Sequence, residues 1–120
     1  MNRLFRIAAM TVVVGVPSAW AQEVPKGDAA NGKKAYLADG CYQCHGRVGQ
    51  GGLMTGGAPI LAQTKMPFVA FRRQLRNPIN DMPPYPETLL SEKDMTDIYA
   101  FLQALPGRRP VKDIPMLNDY

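Results

Sequence analysis

Apolar residues in this chain recur at helical intervals, and nowhere with the alternation of a strand. Phe68, Phe71 and Leu75 stand at i, i+3 and i+7 and predict a helix over Thr64–Arg76. Thr64 can cap it, Pro67 suits its first turn, and Asn77-Pro78 closes it. Arg72, Arg73 and Arg76 occupy the rest of its surface, as either a solvated face or a docking patch. Met95, Ile98, Leu102 and Leu105 form a second stripe, with Tyr99 and Phe101 beside it. Ser91 opens that helix with Asp94 three residues on, in the manner of a capping box, and Pro106-Gly107 ends it. A third helix is predicted over Ala29–Ala38, capped by Asp28, with Gly32, Ala35 and Tyr36 on one side. Gly32 costs a helix about 1 kcal/mol against alanine, which points to another helix crossing closely there. Gly40 is suited to the left-handed position after this helix. The pattern as a whole is all-α, with long loops.

The connections have characters of their own. Positions 46–57 hold six glycines without periodicity and complete no dinucleotide or P-loop pattern. Ile60 and Leu61, just beyond, are more apolar than a solvent loop needs. Pro83, Pro84 and Pro86 stiffen the stretch around Met82 and Tyr85. The tail from 106 to 120 carries Ile114, Met116 and Leu117, which suggest that it is pinned to the domain's own surface or to a partner.

Residues 1–21 read as a secretory signal: Arg3 and Arg6, an apolar run from Ile7 to Val16, and Ala19-Trp20-Ala21 before the cut. A spanning helix needs about 20 apolar residues, and this run has about half that. One exported domain over residues 22–120 is expected, without a membrane anchor. Losing Arg3 and Arg6 takes the formal charge from +4 to +2. That is weak support for an acidic partner and none for nucleic acid.

The only histidine and both cysteines fall in Cys41-Tyr42-Gln43-Cys44-His45. On a helical turn the thiols at i and i+3 and the imidazole at i+4 share a face. That is the pattern of covalent c-type haem attachment: two thioethers to one porphyrin edge and an imidazole under the iron. A thioredoxin-like disulfide wants a βαβ context, which is missing. A closed zinc site wants four ligands, and the chain has three such residues. Ile60 and Leu61 are then expected to contact the porphyrin or the core.

With one histidine, a second imidazole from this chain is impossible. A thioether in the remaining axial position would raise the reduction potential and suit electron transfer. Among the methionines, Met95 belongs to a core stripe, Met66 begins a helix, Met54 lies in the glycine loop and Met116 in the tail. Met82, in the rigid proline loop 37 residues past His45, is favoured, with Met54 next.

The order of these parts resembles class I cytochrome c of the bacterial periplasm. The matching residues are Gly32 and Tyr36, Cys41 to Gly46, Pro59-Ile60-Leu61, Asn77-Pro78 with Met82-Pro83-Pro84-Tyr85, and Ile98-Tyr99 with Leu102. The resemblance implies three or more main helices around one covalently bound haem c. Cys41 and Cys44 would carry the thioethers, and His45 and Met82 would bind iron. The Pro59 carbonyl would accept a hydrogen bond from His45 Nδ1, and Gly32 and Tyr36 would meet the last helix. The expected function is one-electron transfer rather than catalysis, as a free shuttle or as the haem subunit of a periplasmic dehydrogenase. The redox partners would be such a dehydrogenase and a terminal oxidase or another cytochrome. The competing expectation is a haem enzyme or small-ligand-binding module with an open sixth iron position.

Overall fold

The computed structural model describes residues 24, 26–52 and 57–117. The signal segment and Met54 lie outside them. Four helices and two 3₁₀ turns make up the described chain, which contains no strand. They are α1 (Ala29–Ala38), α2 (Cys41–His45), α3 (Phe68–Arg76) and α4 (Glu92–Ala104), with the turns at Val111–Asp113 and Pro115–Leu117.

The caps explain the helix ends. Asp28 accepts from Ala30 N at 2.8 Å and Asn31 N at 3.2 Å, so α1 begins where predicted. Gly40, at φ +77°, reverses the chain after α1 and leads directly into α2. Ser91 Oγ accepts from Asp94 N at 3.1 Å and donates to Asp94 Oδ2 at 2.7 Å. The carboxylate therefore takes the serine hydroxyl rather than the cap backbone N–H of a capping box.

The start of α3 corrects the sequence expectation. Thr64 does not cap it; Thr64 Oγ1 accepts from Met66 N at 3.2 Å, in a turn before the helix. Pro67 sits at the cap position and α3 starts at Phe68. A proline disfavours helical backbone in the residue before it, here Met66, so the helix cannot extend back through it.

The core lies where α1 and α4 cross. A Cβ on Gly32 would stand 1.9 Å from Asp97 O and 2.7 Å from Ile98 N, so only glycine permits this approach. Around the crossing Tyr36, Leu90, Met95, Ile98, Phe101 and Leu102 are buried. Phe71 and Leu75 bring the apolar face of α3 to them. Rings pack Tyr36 on Phe101 at 5.4 Å and Phe71 on Tyr99 at 5.2 Å between centroids.

One buried charge serves the same crossing. Asp97, 3% exposed, accepts from Asp28 N at 2.8 Å and Asn31 Nδ2 at 2.7 Å and pairs with Lys93. The Lys93 hydrogen bond, then the Asp28 N–H, hold its carboxyl below the usual carboxylate range. The tail is not packed into this core. Val111, Met116 and Leu117 are exposed, and only Ile114 is half-buried.

Candidate haem site

Helix α2 is held in place by its neighbours. Tyr36, fully buried in α1, donates its hydroxyl to Gly46 O at 2.7 Å, at the end of the motif turn. Burial, with the Cys41 thiol second, pushes that phenol well above its ordinary pKa, so it stays a neutral donor. On the other side, Tyr85 donates to Asp39 O at 3.2 Å. The glycine loop closes over the turn. Gly51 N donates to His45 O at 2.9 Å, and a Cβ on Gly52 would lie 1.9 Å from Cys44 O. The crowding that calls for glycine here is backbone against the motif turn itself.

The same loop delivers Pro59. Gly52 N donates to Ala58 O at 3.2 Å and Leu61 N to Gly49 O at 2.8 Å, bracketing the proline. Its carbonyl then lies 3.0 Å from His45 Nδ1. His45 is 8% exposed, and Nε2 has no hydrogen-bond partner among the described residues. Because Pro59 O can only accept, Nδ1 is the donor nitrogen of this contact, which leaves Nε2 to face a metal.

Both cysteines are free and partly buried. Burial first, then the Asp39 carboxylate, push the Cys41 thiol up to about 11. That is opposite to the lowered pKa of a thiol–disulfide exchange site.

The methionines separate by environment. Met95 is fully buried in the core, whereas Met66 and Met116 are exposed. Met82 is partly buried against the core, as are Cys41, Leu61, Phe68 and Tyr85. Its sulfur accepts from Gln74 Nε2 at 3.6 Å. The stretch carrying it is fastened twice to the end of α3. Tyr85 N donates to Leu75 O at 2.8 Å, and Arg76 Nη1 donates to Tyr85 O at 2.6 Å.

The three arginines of α3 thus do different things. Arg76 also donates to Leu90 O at 2.8 Å and to Glu92 Oε1 at 3.0 Å, so it is an internal brace. Arg72 pairs with Glu92 at 2.8 Å at the surface, and Arg73 is exposed without a partner among the described residues. Sequence reasoning grouped them as one face. The position of Arg76 directly after the buried Leu75 was the available signal.

The residues present fit haem c. One helical turn and its two loops offer two unpaired thiols, an imidazole with one nitrogen fixed and the other free, and a thioether on a separately anchored loop. A cleft of about 580 Å³ by Lys26, Asp28, Lys93 and Asp97 and one of about 530 Å³ by Val48, Ile60, Gln63 and Arg108 lie elsewhere on the surface. Neither is lined by His45 or Met82.

The family model for cytochrome c oxidase, cbb3-type, subunit III, matches residues 27–102, more than half of the chain. No curated protein and no solved structure gives a significant match. The chain therefore belongs to this family of c-type cytochrome domains, as a class I c-type cytochrome that carries covalently bound haem c and its iron.

Proposed function

We propose that this protein is an exported, periplasmic one-electron carrier with His45 and Met82 as its axial ligands and Cys41 and Cys44 as its thioether residues. The observation that carries the reading is the pinned imidazole. His45 Nδ1 is bonded to Pro59 O at 3.0 Å, which leaves Nε2 for iron on the turn that holds both thiols. Bound haem c supplies an iron that takes up and releases one electron. The Pro59 carbonyl fixes the orientation of the imidazole and makes it a better donor. Met82, like Leu61, Phe68 and Tyr85, is packed against the apolar core, and an apolar surround favours the less charged reduced state. With both thiols and the imidazole taken up by the haem, transfer of an electron is the chemistry the arrangement suits.

Its partners would be a donor and an acceptor protein, with two versions of the role: a free shuttle, or the electron-accepting subunit of a periplasmic dehydrogenase. Size-exclusion of the native extract separates these, since co-elution with a dehydrogenase rejects the free shuttle. Oxidised and reduced visible spectra of the purified protein test the ligation. A methionine-ligated, six-coordinate iron that binds carbon monoxide slowly at neutral pH is expected. Rapid binding to the reduced wild-type protein would instead favour an enzyme or ligand-binding module with an open sixth position.

A further inference from the structure

The tail leaves the domain from a fixed point. Gln63 N donates to Leu102 O at 2.8 Å near the end of α4, and a Cβ on Gly107 would lie 2.6 Å from Gln63 Oε1. Beyond Gly107 the turns at Val111–Asp113 and Pro115–Leu117 give the chain a set shape. That shape leaves apolar side chains in water: Val111, Met116 and Leu117 are 63%, 79% and 50% exposed. Arg108, Arg109 and Lys112 stand exposed among them, with one carboxylate, Asp113, among the described tail residues. Apolar and cationic groups interleaved this closely, and unused by the domain, point to a surface outside it.

The backbone decides which kind of surface. Asp113 N donates to Pro110 O at 2.9 Å, Ile114 N to Val111 O at 3.0 Å and Leu117 N to Ile114 O at 2.9 Å. Pro110 and Pro115 have no N–H at all. These residues therefore offer a protein groove no main-chain donors, and neither turn is long enough to present a helix face. A bilayer interface asks for neither. It penalises open backbone donors and rewards apolar side chains flanked by cations that reach anionic headgroups. No described helix is long and apolar enough to cross a membrane, so contact here would be at its surface. We propose that the tail attaches this protein reversibly to the surface of an anionic lipid membrane. Val111, Met116 and Leu117 enter the headgroup region, and Arg108 and Arg109 meet the lipid phosphates. The carrier would then travel along a membrane rather than through bulk solution. This attachment does not depend on which residue is the second iron ligand.

The test is sedimentation of the haem-loaded full chain with vesicles, the bound share being read from haem absorbance. The wild type should bind vesicles of phosphatidylcholine and phosphatidylglycerol in equal parts, ignore phosphatidylcholine alone, and detach as salt is raised. The double variants Arg108→Ser with Arg109→Ser and Met116→Ser with Leu117→Ser should each bind roughly tenfold more weakly or worse, with unchanged visible spectra. Arg73→Ser, exposed on α3, is the control and should bind within about twofold of the wild type. A wild type indifferent to the anionic vesicles overturns the proposal, and is what a tail made for an acidic protein groove would give. So does binding that survives in both double variants, which would put the contact elsewhere. Loss in the arginine variant alone also overturns it, since charge would then act without insertion.

Discussion

Replacing Gly32 with alanine tests the helix crossing on which the fold is built. The new Cβ would meet Asp97 O at 1.9 Å, where ordinary contact begins near 3.4 Å. Both partners are helix backbone, so no side chain can swing aside, and α1 and α4 must part by about 1.5 Å locally. A gap of about 0.5–1 Å already forfeits a quarter to a half of the dispersion attraction across it. Tyr36, Ile98 and Leu102, at 0%, 2% and 0% exposure, lose packing together. Overpacking of this kind costs about 3 kcal/mol or more, and the better helix propensity of alanine returns about 1 kcal/mol. The net loss of about 2–3 kcal/mol should lower the melting temperature by about 10–20 °C in a domain of this size. Thermal unfolding followed by circular dichroism and by haem absorbance measures it. Lys34→Ala, exposed on the same helix, is the control and should change stability by less than about 0.5 kcal/mol. A Gly32→Ala protein that melts with the wild type, or above it, would refute the argument. Propensity would then have outweighed sterics, and the crossing would be looser than described.

Other expectations follow from the same geometry. Met82→Ala should lower the reduction potential and let carbon monoxide bind the reduced iron rapidly, with haem attachment intact; an unchanged potential would show that another methionine is the ligand. Asp97→Asn should cost about 2–3 kcal/mol, because an amide N–H would face the donors Asn31 and Lys93. Asp97 is held below its unfolded value of about 3.9. Its contribution is thus complete above that value and disappears as pH falls through the lower folded one. Urea midpoints between about pH 6 and pH 2 should show a shallower acid limb in Asp97→Asn, and parallel curves would contradict this. Arg76→Leu leaves Tyr85 O and Leu90 O short of a donor and should cost about 2–3 kcal/mol by thermal melting, with faster carbon monoxide binding as the ligand loop loosens.

What the sequence made legible was whatever depends on neighbours in the chain. Asp28 and Ser91 announce their helices because capping is local. Gly32 betrayed a crossing because a helix keeps a glycine there only for space. The start of α3 was misplaced because Thr64 and Pro67 are both acceptable near a helix start, and the backbone cost of Met66 before proline decided between them. Asp97 and Gln74 were not singled out, and Arg76 was read with Arg72 and Arg73 as one surface face. Each is a polar residue beside an apolar stripe whose partner lies on a different element. Asp97 had a visible sign: it falls between Met95 and Ile98, on the buried side of α4, four residues after Lys93. The tail was expected to be pinned to the domain's own surface or to a partner; on the domain only Ile114 is half-buried, because its apolar residues are too few and too separated by prolines to form a face, and Met116 and Leu117 are exposed.

The bonds from Asp28 and Asn31 to Asp97 join residues 69 and 66 positions apart. A ribosome therefore releases the Cys41–His45 turn well before the helix that must cover Tyr36 and Gly32 has been made. For that interval the two thiols and the imidazole belong to an open chain, reachable from every side. Thioether formation can precede closure of the core, and α4, arriving last, would then lock a cofactor already in place.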